Sequence, residues 1–329
     1  MRGRLKLIAA LVLVLPAAAS TQTFQPPRHT AGPSPLLTAG GPAEIARRAD
    51  GGAQIESGRS PAGELEEHRR LNRALGALQP QRAGTADAYV VVVALDSDPV
   101  FGREARVAGE VLSRRYGATG RTIVLAGTDG RAPSSLPRGT PTSLAIAFAR
   151  IAELMDERED VLVLYTTSHG APFGLFYHDA DNGYGAISPT RMAAMLDGLG
   201  IRNRLLILSA CYSGVFVPRL QSPTTAIVTA AASDRSSFGC VAENDWTFFG
   251  DAMINRALRA PQPLGQAFEQ ARTLVASWEQ RIRGQPSNPQ ISVGAQAQRW
   301  LGVLEARLPP ASQPVGRPAI ESEGQAARR

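Results

Sequence analysis

The sequence predicts an α/β domain of three layers, αβα, built on a mostly parallel sheet. Two observations carry this expectation. From residue 88 onward, short runs rich in Val, Ile and Leu alternate with longer segments of helical periodicity, the grammar of strand–helix–strand crossovers. The short runs are apolar at successive positions rather than alternate ones, as strands buried on both faces require. Aromatic residues are only 6% of the chain, so Val, Leu, Ile and Ala must fill the core.

Residues 89–95 form the first predicted strand, and 101–116 a helix stopped by Gly117. Residues 122–126 form the next strand, and a Gly-, Pro- and Ser-rich loop covers 127–141. Thr142 is expected to cap a helix reaching Met155. A third strand, 161–167, ends at Ser168-His169-Gly170. Short strands at 175–177 and 185–187 flank Asp181-Asn182-Gly183, a hairpin signal. Ser188-Pro189 opens a helix that ends at Gly198 or Gly200. Residues 205–210 form a strand ending at Cys211, and 226–231 another, before helices over 247–258 and 264–283.

The flanks read differently. Arg2, Arg4 and Lys6 precede an apolar run over 7–15, then Pro16, Ala17, Ala18, Ala19 and Ser20. That is the pattern of a secretory signal spanning 1–19, and its apolar run is short for a bilayer. An exported protein, periplasmic or secreted, without stable membrane insertion after cleavage, is the expectation. Residues 20–60, rich in Pro, Gly and Ala, read as a flexible leader. Within 61–85, Leu65, Leu71, Leu75 and Leu78 recur at helical spacing, and Pro80 ends the pattern. This amphipathic helix and linker would mask a cleft or pack on the sheet. If it masks, removing residues 20–80 leaves folding intact. The catalytic domain is expected over 86–305, and 306–329 reads as a disordered tail.

Net charge is +6, but no basic stripe interleaves with aromatics, so nucleic-acid binding has little support. Nothing in the sequence sets an oligomeric state.

The chemistry-bearing residues follow from topology. In open parallel sheets, ligands bind beyond the carboxyl ends of the strands. His169 and Cys211 each follow such a strand directly. A thiolate attacks carbonyls where a thiol does not, and a nearby imidazole promotes the reactive form. A Cys/His pair there is a candidate for acyl transfer. The alternatives are a turn-capping histidine, a buried free thiol, and a disulfide between Cys211 and Cys240, the only two cysteines. His29, in the leader, and His68, in the amphipathic helix, read as solvated. His178 lies beside Asp179 and Asp181 with no third ligand at motif spacing, and reads as a hairpin histidine.

Four motifs in order resemble the legumain-like cysteine peptidases, family 13, of the caspase-fold group, and its bacterial members above all. They are Tyr165-Thr166-Thr167-Ser168-His169-Gly170, Ser209-Ala210-Cys211-Tyr212-Ser213-Gly214, Thr229-Ala230-Ala231 with Asp234 to Cys240, and Trp246-Thr247-Phe248-Phe249-Gly250-Asp251. The resemblance implies a caspase/legumain-like fold and a cysteine endopeptidase acting on proteins or peptides. Cys211 would form a thioester, His169 would serve as acid and base, and the backbone N–H groups of Gly170 and Cys211 would hold the oxyanion. No metal or organic cofactor is implied. Ser236, Ser237 and Asp251 match positions of the family's substrate pocket. Tyr212 stands where the family has an acid, and Ser168 where it has Asp. Phe101 stands near the expected pocket arginine, with Arg103 as a substitute. Cleavage after asparagine or after a basic residue are the two candidate preferences. Asp251 has a second reading as a helix N-terminal charge. Cys240 matches a cysteine the family does not use catalytically. Transpeptidation through the same thioester, and a non-catalytic caspase-fold binding module, are the alternative functions.

Overall fold

The computed structural model describes residues 24–31 and 34–321. The expected signal segment, 1–19, lies outside them. Helix α1 (Pro42–Asp50), strand β1 (Gln54–Glu56) and helix α2 (Pro61–Gly76) precede the central sheet. Strand β2 (Ala88–Ala94) leads through α3 (Pro99–Arg115) to β3 (Thr122–Leu125), and α4 (Pro141–Leu154) leads to β4 (Val161–Thr167). Three short strands, β5 (Gly170–Ala171), β6 (Gly174–Asp179) and β7 (Gly183–Ile187), precede α5 (Pro189–Gly198) and β8 (Arg204–Ser209). A short helix, α6 (Val217–Leu220), leads to β9 (Thr225–Thr229), followed by α7 (Leu264–Arg281), β10 (Gln290–Val293) and α8 (Ala297–Glu305).

The six-stranded sheet has the order β10-β9-β8-β4-β2-β3. Every pairing is parallel except β10 with β9. Successive residues of β2 serve opposite faces. Val90, Val92 and Ala94 pack with residues of α3, α7 and α8, whereas Tyr89, Val91 and Val93 pack with α4, α5 and Leu71 of α2. That is the three-layer αβα arrangement, and it explains the unbroken apolar run. Each buried valine contributes roughly 1.5–3 kcal/mol relative to an exposed one.

Helices α3 and α4 lie on opposite faces of the sheet. The chain leaves β2 towards β3 and then returns past it to β4. The reversal places the sheet's switch point between the carboxyl ends of β2 and β4, where such folds open a crevice.

Several local expectations are corrected. Thr140, not Thr142, caps α4: its side chain accepts from Ser143 N–H, while Ser143 Oγ accepts from Thr140 N–H, a reciprocal capping box. The helix expected over 247–258 is instead a π-helical turn, Gly250–Arg256, followed by a 3-10 turn, Ala257–Arg259. Apolar periodicity alone does not separate these from an α-helix. Strand β10 is four residues long and only partly buried, too weak a pattern to stand out.

The flanks are more ordered than their composition suggests. Within the stretch read as a flexible leader, Leu37 and Ala49 are buried, and β1 pairs antiparallel with β7 in a second, four-stranded sheet. Helix α2 packs into the core through Leu71, joined by Leu78 just after it, so it forms part of the sheet's cover. The stretch read as a loose tail is tied down as far as Glu321. Trp246 Nε1 donates to Val315 O at 2.9 Å, Val315 N to Asn255 Oδ1 at 2.9 Å, and Ala319 N to Asp251 Oδ2 at 2.9 Å.

Candidate active site

Strands β4 and β8 are parallel neighbours with Thr167 opposite Ser209. Ser168 N–H extends the pairing, donating to Ser209 O at 3.2 Å. Two residues past the paired positions, His169 and Cys211 leave the sheet at the same edge. Gly170 makes their approach feasible: a Cβ there would stand 2.2 Å from Cys211 O.

After Cys211 the chain turns sharply. Tyr212 adopts a left-handed conformation (φ 57°, ψ 12°) and opens a 3-10 turn, Ser213–Phe216. A non-glycine residue held at positive φ marks a constrained turn. Here Tyr212 N–H donates to Arg235 O at 2.8 Å, and Ser213 Oγ accepts from Ala231 N–H at 3.2 Å. The turn leaves Cys211 partly exposed at the strand tip. Its Sγ accepts a hydrogen bond from Ser237 N–H at 3.2 Å, and Ser237 Oγ lies 3.6 Å away. Both cysteines are free, so the alternative of a Cys211–Cys240 disulfide fails. Burial holds the Cys240 thiol well above the usual thiol range.

His169 is held on several sides. Its side chain is 40% exposed, and Nε2 lies 3.6 Å from Asp98 Oδ2. The Phe101 ring meets the imidazole edge-on at 5.1 Å. Burial opposes the charged imidazolium, but the hydrogen bond it donates to Asp98 and the charges of Asp96 and Asp98 outweigh it, and the pKa is raised. Reciprocally, the bond to His169 holds Asp98 below the usual carboxylate range. Asp96 is nearly inaccessible, and burial pushes it up to about 6 despite nearby histidines.

Nothing in the sequence marks Asp96 and Asp98, since Asp96-Ser97-Asp98-Pro99 reads as a loop. Their only signal is positional: they follow β2, the neighbour of β4 at the switch point. Below the site, the buried Glu104 accepts from Tyr165 Oη at 2.5 Å, Thr167 Oγ1 at 2.7 Å and Thr247 N at 2.8 Å. It braces β4 against the segment that follows Trp246, which is itself buried in the core.

The expected pocket residues divide. Ser237 lies against the Cys211 sulfur, with Ser236 exposed beside it and Tyr212 partly exposed in the turn. Asp251 does not join them. Its side chain is fully buried and accepts from Asn255 Nδ2 at 2.9 Å, Arg256 Nε at 3.1 Å and Ala319 N at 2.9 Å. These bonds occupy both oxygens, so Asp251 anchors the C-terminal segment instead of receiving a substrate cation. Arg103 is also committed elsewhere: Nε donates to Asn244 O and Nη1 to Asp129 O, each at 3.1 Å, and Nη2 to Ala242 O. It fastens the 242–245 loop.

His29, expected to be solvated, and His178, expected to stay a hairpin histidine, are brought together, whereas His68 is exposed as expected. His29 stacks on His178 with ring centroids 3.6 Å apart and planes inclined by 15°. His29 Nε2 lies 3.6 Å from Asp96 Oδ1, and Nδ1 lies 3.6 Å from Asp98 Oδ1. Burial depresses His178 to about 4. Residues 29, 96 and 178 are too far apart in sequence for spacing to associate them.

A thiol and an imidazole brought to one edge of a parallel αβα sheet are the parts of a cysteine-peptidase site. Residues 143–299 match the model described as the Peptidase C13 family. The match includes His169 and Cys211. No curated protein matches the chain. Among solved structures, caspase-1 from Spodoptera frugiperda is similar at 13% identity and a TM-score of 0.43, covering 66% of this chain and 92% of its own. A structure of pro-sf-caspase-1 is similar at 13% identity and a TM-score of 0.41, covering 65% and 92%.

Proposed function

We propose that this chain is an exported cysteine endopeptidase in which Cys211 is the nucleophile and His169 the proton carrier. The observation that supports it best is the shared register of β4 and β8, which sends both side chains off one sheet edge with only Gly170 between the chains. In this reading Cys211 Sγ attacks the scissile carbonyl carbon. The carbonyl electron pair moves onto oxygen, held by the backbone N–H groups of Gly170 and Cys211. His169 gives its proton to the leaving nitrogen, the C–N bond breaks, and a thioester remains. Water then gives a proton to His169 and attacks the thioester, releasing the acid and the thiolate, which His169 reprotonates or leaves paired. The Ser237 N–H bond to Sγ holds the sulfur in place at the strand tip. Asp98 orients the imidazole, as a carboxylate beside a catalytic histidine does.

Ser236, Ser237 and Tyr212 are the residues proposed to meet the substrate. Asp251 and Arg103 are withdrawn from the expected pocket, and cleavage after asparagine or after a basic residue are the two preferences carried into the test. The test is cleavage-site mapping in a complex peptide mixture, with Cys211→Ser protein as control. New termini that depend on Cys211 bear the proposal out, and the residue before each cut decides between asparagine and a basic residue. Identical termini from both proteins would remove Cys211 from the reaction. The export proposal rests on the 1–19 pattern, and a periplasmic or extracellular mature chain beginning near Ser20 is its measurable outcome.

A further inference from the structure

We propose that His29, Asp96 and His178 form a site for a divalent transition ion of the zinc class, one that fastens the leader beside the catalytic edge. One ligand atom from each of the three residues lies within 4.8 Å of the other two. Asp96 is 2% exposed and its Oδ2 has no hydrogen-bond donor, a costly condition for a buried carboxylate that a cation relieves. The position is well fixed from the core side. Asp96 pairs with His178 in an isolated parallel bridge, Ser97 N donates to His178 O at 2.9 Å, and His178 N donates to Leu95 O at 3.0 Å.

The third residue comes from the leader, and the leader is itself docked there. Thr30 N and Ala31 N donate to Asp181 Oδ1 at 2.9 and 2.8 Å. His29 Nε2 lies 3.1 Å from Ser97 Oγ. A cavity of about 250 Å³ beside Asp96 and His178 is bordered by Phe24 and Pro27 of the leader.

Two imidazoles and one carboxylate select zinc-like ions over calcium or magnesium, which prefer all-oxygen shells. Tetrahedral geometry with bonds of about 2 Å needs ligand atoms roughly 3.3 Å apart. The present spacing therefore closes only modestly on binding, and the stacked rings turn edge-on to the ion. Three protein ligands leave a fourth position for water, the count of an exchangeable site. Because Asp96 and Asp98 share one loop, the ion holds residue 29 of the leader next to the groups around His169. Ion binding stands apart from the peptidase reading; only its bearing on catalysis rests on it.

The experiment titrates the chelator-treated protein with Zn²⁺ and, as a spectroscopic probe, Co²⁺. The expected result is one equivalent bound, with a cobalt spectrum showing d–d bands and no thiolate-to-metal charge transfer. His29→Ala and His178→Ala should each weaken binding by at least about tenfold, a loss of the size that perturbing a metal site brings. Circular dichroism checks the fold, and His29→Ala, in the leader, is the variant that leaves the sheet untouched. Saturation should also slow proteolytic nicking of residues 24–41. No binding, affinity unchanged in both variants, or a thiolate band abolished by Cys211→Ser would overturn the proposal; the last would place the ion at the Cys/His pair while leaving the peptidase reading intact.

Discussion

Asp98 Oδ2 and His169 Nε2 lie 3.6 Å apart across the switch point, linking the end of β2 to the end of β4. The carboxylate therefore fixes which edge of the imidazole is left for Cys211, and it is the largest influence supporting the charged ring against burial.

Replacing Asp98 with Asn should lower the pKa of His169. The hydrogen-bonded charge that raises it goes, and the burial that lowers it stays. Histidine C2–H NMR titration reads this directly; an unchanged or higher value would show that Asp98 does not support the imidazolium. Peptidase activity should fall by roughly 10–100-fold, on the scale seen when a histidine loses its orienting partner, with thermal stability little changed.

Gly170→Ala should be inactive and less stable. The new methyl would stand 2.2 Å from Cys211 O, against backbone that cannot yield cheaply. A cost of about 1–3 kcal/mol is expected from such overpacking. Denaturant unfolding measures it, and reactivity of Cys211 towards a peptide-based thiol reagent measures the damage to the site. Full reactivity would mean that the strand ends separate without consequence.

Asp251→Asn should destabilise the protein by about 1–3 kcal/mol, since it weakens bonds from Arg256 and from the buried Ala319 N–H. The residue preferred at the cleavage site should not change, because Asp251 is fully buried. A shift in the mapped cleavage sites of this variant would return Asp251 to the substrate pocket.

Deleting residues 20–80 should impair folding rather than release activity. Leu37, Leu71 and Leu78 are buried, each worth roughly 1.5–3 kcal/mol, against a total margin of only about 5–15 kcal/mol for a domain. A thermal melt as sharp and as high as that of the parent would contradict this and restore the masking role for α2.

The sequence displays the central sheet well because β2, β4 and β8 are buried on both faces and therefore uniformly apolar. It displays His169 and Cys211 for the same reason, since each directly follows such a run. The neighbours that tune them are hidden: Asp98 is adjacent only through strand order, and His29 only through the path of the leader. Composition misleads at both flanks. A Pro- and Gly-rich stretch needs few apolar anchors to dock, and Leu37 and Ala49 suffice in the leader as Ala319 does in the tail. Asp251 misleads differently, because its motif position is right but its carboxylate is turned into the protein.

Strand β1 borders the smaller sheet by pairing Gln54, Ile55 and Glu56 with Gly185, Tyr184 and Gly183 of β7. Any processing cut that frees the chain before residue 57 turns β7 into an open margin with a row of unsatisfied amides and carbonyls. Such a margin accepts whatever extended chain comes next. Such a cut would therefore also pose the question of what takes the vacated place: the severed piece staying put, a stretch of polypeptide awaiting cleavage, or the same strand of another molecule.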